Sequence, residues 1–167
     1  DQVTTFMDNH YSSTKRYSED KILTKTMINN YTKNNLLPPS VKKKYSREHM
    51  LLLILIYYFK NILSIKDIET VLQPLREKYF SGNGPVQLSD IYKEVCELEK
   101  SRIAPMKASV KEAYEKSQSA FSDMSEGEDQ DELKLFAFIC SLSFDVYLKK
   151  MMIEKIIDEL AAKDKDK

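Results

Sequence analysis

Apolar residues along the chain recur at the three- and four-residue intervals of amphipathic helices. Between Val3 and Tyr11 they fall at i, i+3, i+4 and i+8, which predicts a short first helix. Thr24 is a suitable N-cap for a second helix with one apolar face, whose polar positions are left to solvent or a ligand. We expect Asn35 to be the left-handed turn residue after this helix, because Pro38-Pro39 excludes further helix.

The middle of the chain predicts the core. Residues 50–59 are apolar on nearly every side, and Ser46 precedes them as an N-cap, so we expect a central buried helix there. Ser64 with Asp67 three residues later is an Asp variant of the capping box, which starts a fourth helix. Pro74 is expected to stop that helix, because proline removes a backbone donor and clashes with the preceding turn.

The clearest loop is Phe80–Pro85, where turn residues cluster, and we place a domain boundary there. The sequence thus divides into a domain of residues 1–80 and a helical domain of residues 81–167. Three further helices are predicted in the second domain: one capped by Ser89, one from about Pro105, and one from Glu132 to Ala162. The acidic segment Ser125–Glu132 is read as the loop before the last helix.

The last helix carries a heptad seam of about four repeats. Such a seam serves either to pack a bundle within one chain or to dimerise two chains, and the spacing leaves both open. A homodimer through this C-terminal helix is the partner prediction that follows. The seam residues are Leu135, Ile139, Leu142, Val146, Lys149, Ile153, Ile156 and Leu160.

Composition narrows the fold and the chemistry. Three Gly and five Pro in 167 residues favour an all-α protein over a turn-rich β fold. Two His and two Cys cannot supply a multi-ligand His or Cys metal site, and Cys96 and Cys140 are expected to be buried, reduced thiols. No nucleophile with a base can be assembled, so we expect no catalytic residues, no metal and no cofactor. The longest apolar run has ten residues, and with no secretory signal the prediction is a cytoplasmic protein without membrane contact.

The charge is unevenly distributed although it sums to zero. Residues 1–80 hold 13 basic and 8 acidic side chains, and residues 81–167 hold 13 basic and 18 acidic ones, so the two parts are +5 and −5. The window from Lys21 to Lys60 contains eight basic residues and a single acid, Glu48, so its net charge is +7. Such a patch is either a solvated surface or the electrostatic footprint of nucleic-acid binding.

Two runs within this basic window carry a resemblance. Residues 28–39 read INNYTKNNLLPP, and residues 42–49 read KKKYSREH. Together with residues 63–68 they resemble the MerR-type winged helix-turn-helix of bacterial transcription regulators, in which a short basic wing and two packing helices follow the helix-turn-helix. The segment from Thr24 to His49 is also similar to an uncharacterised bacterial family, domain of unknown function 1836.

The resemblance implies binding to double-stranded DNA and assigns roles to residues. Lysine ammonium groups suit the phosphate backbone, whereas an asparagine amide offers a donor and an acceptor to an adenine edge. Asn29 and Asn30 are the candidate base readers, and the wing is shortened to residues 41–44. The candidate phosphate contacts are Lys25, Lys33, Lys42, Lys43, Lys44 and Arg47.

The resulting hypothesis is a bacterial transcriptional regulator with an N-terminal MerR-like winged helix-turn-helix. Its C-terminal helical domain, with a long last helix, would dimerise the protein or sense a signal. Any effector is expected to be an apolar or organic molecule between helices, and none can be named. The alternative is a non-catalytic helical module that binds another protein and not DNA.

Overall fold

The structure, a computed structural model, describes residues 2–123 and 128–165, and helices joined by loops make up this part of the chain. Within these residues there is no strand, so the predicted all-α class is confirmed there. A single turn of 3₁₀-helix at Ser12–Thr14 follows the first helix. The helices are α1 (Gln2–Tyr11), α2 (Lys25–Lys33), α3 (Arg47–Phe59), α4 (Ile65–Tyr79), α5 (Leu88–Gln118) and α6 (Glu128–Lys165).

Side-chain caps start α2, α3 and α4 at the predicted positions. Thr24 accepts a hydrogen bond from the backbone N–H of Met27 at the start of α2. Ser64 and Asp67 form the expected capping box of α4, with the Ser64 hydroxyl accepting from the Asp67 N–H at 3.1 Å. Each cap satisfies a backbone donor that has no partner within its helix, which is worth about 1 kcal/mol.

Contacts between Cα atoms divide the chain into two compact units. The core unit comprises residues 1–93 together with 157–167, and the hairpin unit comprises residues 94–156. The first unit extends beyond residue 80 because the side chain of Leu88, in the first turn of α5, is almost fully buried. Ile157 near the end of α6 is buried as well and belongs to the same unit.

The core unit is organised around α3, as its apolar sequence predicts. Leu52, Leu53 and Ile56 have no exposed surface. Ile68 and Leu72 of α4 are equally inaccessible, and α4 follows α3 after a short turn. Burial of several large aliphatic side chains, at about 1.5–3 kcal/mol each, supplies the main driving force for this unit.

Two prolines lie inside helices, contrary to the prediction that they mark helix boundaries. Helix α4 continues through Pro74 to Tyr79, and α5 continues through Pro105, so one long helix replaces the two expected between Ser89 and Gln118. A proline in a helix leaves the carbonyl four residues earlier without its donor. In α5 that carbonyl belongs to an exposed turn, where water can bind it.

Three further expectations about the second half are corrected. Helix α5 begins at Leu88, so Ser89 lies inside it and is not its N-cap, and Oδ2 of Asp90 in the first turn accepts from the Gln87 N–H at 3.0 Å. Helix α6 begins at Glu128 rather than at Glu132, so part of the predicted acidic loop is helical; residues 125–127 of that loop lie outside the described residues. Neither cysteine is buried, since Cys96 is half-buried and Cys140 is exposed, and both are free thiols.

Candidate nucleic-acid interface

Helix α2 presents its polar side to solvent because its apolar side is anchored in the core unit. Ile28 and Tyr31 are buried, and burial raises the pKa of the Tyr31 hydroxyl. The positions between them point outward by helical geometry. Accordingly, the side chains of four predicted site residues are all exposed: Lys25, Asn29, Asn30 and Lys33.

The end of α2 is a Schellman motif that turns the chain back sharply. Asn35 has a φ of 55°, the left-handed conformation predicted for it, and its N–H donates to the Thr32 carbonyl. The N–H of Leu36 donates to the Tyr31 carbonyl at 2.9 Å. Leu36 and Leu37 are then buried, so the segment that follows leaves α2 in a defined direction.

The segment predicted to form a short wing, residues 41–44, is a two-residue hairpin turn, here called the lysine turn. The backbones of Val41 and Lys44 exchange two hydrogen bonds of 3.1 and 2.9 Å. Between them Lys42 and Lys43 both have positive φ, at 51° and 62°, as a type I′ turn requires. Such turns favour Asn-Gly, and a residue with a Cβ in this conformation costs roughly 1–2 kcal/mol. Two exposed lysines are therefore held at the tip of the turn against their backbone preference, a type of strain that clusters at functional sites.

A buried histidine holds the end of this turn. Nδ1 of His49 accepts a hydrogen bond from the Ser46 N–H at 3.0 Å, and the Ser46 hydroxyl in turn accepts from the His49 N–H, which completes a capping box at the start of α3. The ring lies edge-on to Tyr45 and to Phe80 and has Nε2 3.4 Å from the Pro39 carbonyl oxygen. His49 thus acts as a structural residue that positions Tyr45 next to the lysine turn.

The lysine turn and α2 line a common cleft. The cleft has a volume of about 900 Å³, and α1 contributes Val3 and its neighbours to its wall. Neither this wall nor the place of Tyr45 in it is predictable from local sequence, because nothing local places α1 beside α2. Four of the predicted site residues line the cleft: Lys25, Asn29, Lys43 and Lys44.

A second, smaller cleft continues from Asn29 and Tyr45 on the side of Lys33. It has a volume of about 370 Å³, and Thr32 and Ser40 add hydroxyl groups to its lining. The three other predicted site residues, Asn30, Lys42 and Arg47, are exposed but line neither cleft.

The two clefts are positively charged. None of the described residues that line them is acidic, whereas Lys25, Lys33, Lys43 and Lys44 are basic. A concave surface with one sign of charge concentrates its field and attracts oppositely charged ligands. The nearby acid Glu48 is ionised in the first turn of α3, where a hydrogen bond with the Ser46 side chain lowers its pKa.

Two lysines of the basic window lie elsewhere. Lys21 and Lys60 line a separate cleft of about 370 Å³ at the C-terminal end of α3. Nζ of Lys60 donates to the Ile22 carbonyl at 3.1 Å and lies 4.8 Å from the centre of the Tyr57 ring, and burial lowers the pKa of Lys60. The +7 window is therefore divided between two surfaces, of which only one contains the lysine turn.

The fold and this surface define a small all-α domain with a basic cleft. Residues 1–95, more than half of the chain, match the family model of a domain of unknown function, DUF1836. The chain therefore belongs to this family. The match includes α1 to α4 and both clefts beside Asn29, whereas nearly all of the hairpin unit lies beyond it. No curated protein and no solved structure matches the chain.

Within the described residues, no helix is long and apolar enough to cross a membrane.

Proposed function

We propose that the chain is a DNA-binding transcriptional regulator whose α2 and lysine turn contact duplex DNA. The observation that supports this most is the position of Lys25, Asn29, Lys43 and Lys44 around one cleft. These residues are up to nineteen positions apart in the sequence, so a solvated charge run does not account for their meeting.

The proposed mechanism divides the contacts by chemistry. Lys42 and Lys43 at the tip of the turn reach phosphate oxygens, and Lys25, Lys33, Lys44 and Arg47 extend the same contact along the backbone. Asn29 and Asn30, on the exposed side of α2, meet base edges in the major groove. In this proposal α2 is the recognition helix and the lysine turn is the basic wing of a MerR-like arrangement.

Salt dependence tests the phosphate contacts. Six lysine or arginine contacts predict that log affinity falls with log salt at a slope of about −5. The measurement is retention of the protein on mixed genomic DNA fragments at two salt concentrations. Retention that is indifferent to salt contradicts the proposed surface.

A charge-reversal variant tests the position of the surface. Changing Lys42, Lys43 and Lys44 together to Glu is expected to abolish retention. The matched control changes three exposed lysines of α5, Lys107, Lys111 and Lys116, to Glu, so that the net charge is identical. If the two variants lose retention equally, the effect is one of net charge and not of the lysine turn.

A protein-interaction module without DNA binding is the second candidate, and the apolar surface of the hairpin unit favours it. Many large apolar side chains there, such as Phe136 and Phe144, are more than half exposed. This candidate predicts no retention on DNA at low salt for the unaltered protein. If the unaltered protein is retained, selection of bound sequences from a random DNA pool distinguishes sequence-specific from unspecific DNA binding.

A further inference from the structure

The hairpin unit has no apolar core of its own. Among its described residues, 94–123 and 128–156, no apolar side chain is buried, and the only buried residue is Ser117. Its two helices touch through contacts such as the edge-on packing of Tyr114 against Phe138, with ring centres 5.4 Å apart. A pair of helices that leaves its apolar residues in water lacks the packing from which most helical stability derives.

Helix α6 is apolar on more than one side. The predicted heptad seam runs through Leu135, Ile139 and Val146, all of which are more than half exposed. A second stripe, which the sequence analysis missed, passes through Phe136, Cys140, Phe144, Tyr147 and Met151 at steps of four, four, three and four. By helical geometry this stripe lies about a quarter of a turn from the first. A helix that is apolar around most of its circumference is a buried helix.

The exposed apolar area exceeds what a monomer normally carries. Among the described residues of the hairpin unit fifteen large apolar side chains are 38–66% exposed. The largest apolar patch on a typical monomer covers roughly 300–600 Å², and each partner in a standard interface buries roughly 800 Å². One partner of similar size is therefore enough to cover the surface.

A second copy of the same hairpin has an apolar surface of the same length, with little charge along its middle. Two helical hairpins related by a two-fold axis form a four-helix bundle, in which the seams of all four helices meet at the centre. Along the second stripe the small residue Cys140 lies between the aromatic residues Phe136 and Phe144, so that a partner's ring can fill the space above it. The middle of α6, residues 135–148, contains one charged residue, Asp145, so like-charge repulsion between copies is small.

We propose that the second apolar stripe of α6, with the neighbouring seam, docks onto a second copy of the chain and forms a homodimeric four-helix bundle. The proposal does not depend on DNA binding, because the surface lies in the hairpin unit and the basic cleft lies in the core unit. Its consequence for DNA binding would be two linked modules, which raises effective concentration and imposes a half-site spacing.

The first test is the mass of the full-length protein in solution, measured by light scattering at micromolar concentration. The expected mass is twice the 19.5 kDa of one chain. A variant with Phe144→Glu and Tyr147→Glu is expected to have the mass of one chain, because it places two carboxylates in the interface. The control, Lys107→Glu with Lys111→Glu on the polar side of α5, introduces as many carboxylates and is expected to remain dimeric.

The second test uses the unaltered protein and does not depend on the folding of any variant. Cys140 lies on the second stripe, is exposed in a single chain and becomes covered in the dimer. Its alkylation by N-ethylmaleimide, followed by peptide mass spectrometry, is expected to be about tenfold or more slower in concentrated than in dilute protein, since the rate follows the population of the exposed state. A monomeric mass with fast alkylation at all concentrations overturns the proposal, as does a double variant that remains dimeric.

Discussion

The helices of the core unit and of the hairpin unit differ in the interactions that stabilise them. All eighteen buried hydrophobic residues in the described parts of the chain belong to the core unit, although the hairpin unit contains the longest helical segments. In the hairpin unit, local charge pairs lie along the helices, where solvent screens them. They are Lys100 with Glu97, Lys116 with Glu112, Lys111 with Glu115 and Lys150 with Glu154.

The difference shows that helix formation and burial are separate properties of this chain. The helices of the core unit are short, from 9 to 15 residues for α2 to α4, and are held by caps and by burial against one another. Isolated helices of that length are marginal in water. The hairpin helices are long enough to form on local grounds, but their apolar residues remain exposed within one chain. The first unit therefore buries its apolar residues within one chain, and under the proposed dimerisation a second copy would cover those of the second unit.

The largest expected effect is a core truncation that separates the two units. Leu52→Ala removes a side chain with 0% exposure and is expected to lower the free energy of unfolding by about 2–5 kcal/mol. The same truncation at Leu135, which is 58% exposed in the hairpin unit, is expected to leave the core unit unaffected. Hydrogen exchange of the α3 amides in increasing urea measures the stability of the core unit in both variants. Equal losses for the two variants would show that the units do not differ in this way.

A concentration series tests whether the hairpin unit depends on association. We expect the α3 amides to be protected from hydrogen exchange equally at all protein concentrations, because burial within one chain protects them. Protection of the amides at 135–153 in α6 is expected to increase with concentration, because dimerisation stabilises the state that it binds. Hydrogen-exchange mass spectrometry resolves both segments. If the protection of α6 does not change with protein concentration, the hairpin unit does not depend on association.

The lysine turn gives a smaller effect of opposite sign. Changing Lys42 and Lys43 to Asn and Gly supplies the residues that a type I′ turn prefers, so the core unit is expected to gain about 1–2 kcal/mol of stability. The same change removes two of the six proposed phosphate contacts and is expected to weaken retention on DNA. Urea unfolding measures the gain in stability, and the retention assay measures the loss of DNA binding. A variant that is more stable and binds DNA as well as before excludes a role for these two charges.

The smallest effect is a pH dependence at the start of α3. The pKa of Glu48 is lowered in the folded protein, chiefly by a hydrogen bond with the Ser46 side chain, so its ionised form stabilises the core unit above the ordinary carboxyl pKa of 4.5. That stabilisation is lost as the pH falls through the lowered folded-state pKa. Glu48→Gln is expected to cost about 0.3–1 kcal/mol at neutral pH, and the difference from the unaltered protein should vanish in acid.

Glu112→Gln is the matched control for this measurement. The pKa of Glu112 is also lowered, by its hydrogen bond and ion pair with Lys116, but the pair is fully exposed on α5. Solvent screens such a pair, so no pH-dependent change in the stability of the core unit is expected. A pH profile of urea unfolding for the two variants shows whether the charge at the start of α3 differs from an ordinary surface charge.

The candidate site was only partly predictable from sequence. The exposed side of α2 and the presence of three lysines in a turn follow from local patterns, and Lys25, Asn29, Lys43 and Lys44 were singled out on that basis. The cleft that joins them depends on α1 and on Tyr45, whose position follows from the buried ring of His49. Packing over tens of residues decides such positions, and no local spacing encodes them.

By itself the sequence determined the helical class, the capped starts at Thr24, Ser46 and Ser64, the reversal at Asn35 and the buried α3, because these depend on neighbours within one or two turns. Only the tertiary structure decided that Pro74 and Pro105 lie inside helices, that Lys42 and Lys43 are strained beside α2, and that α6 keeps its apolar stripes uncovered within one chain. Each of these depends on which groups are hydrated and which are packed against other residues. Periodicity shows which residues share a face of a helix, but it does not show what covers that face.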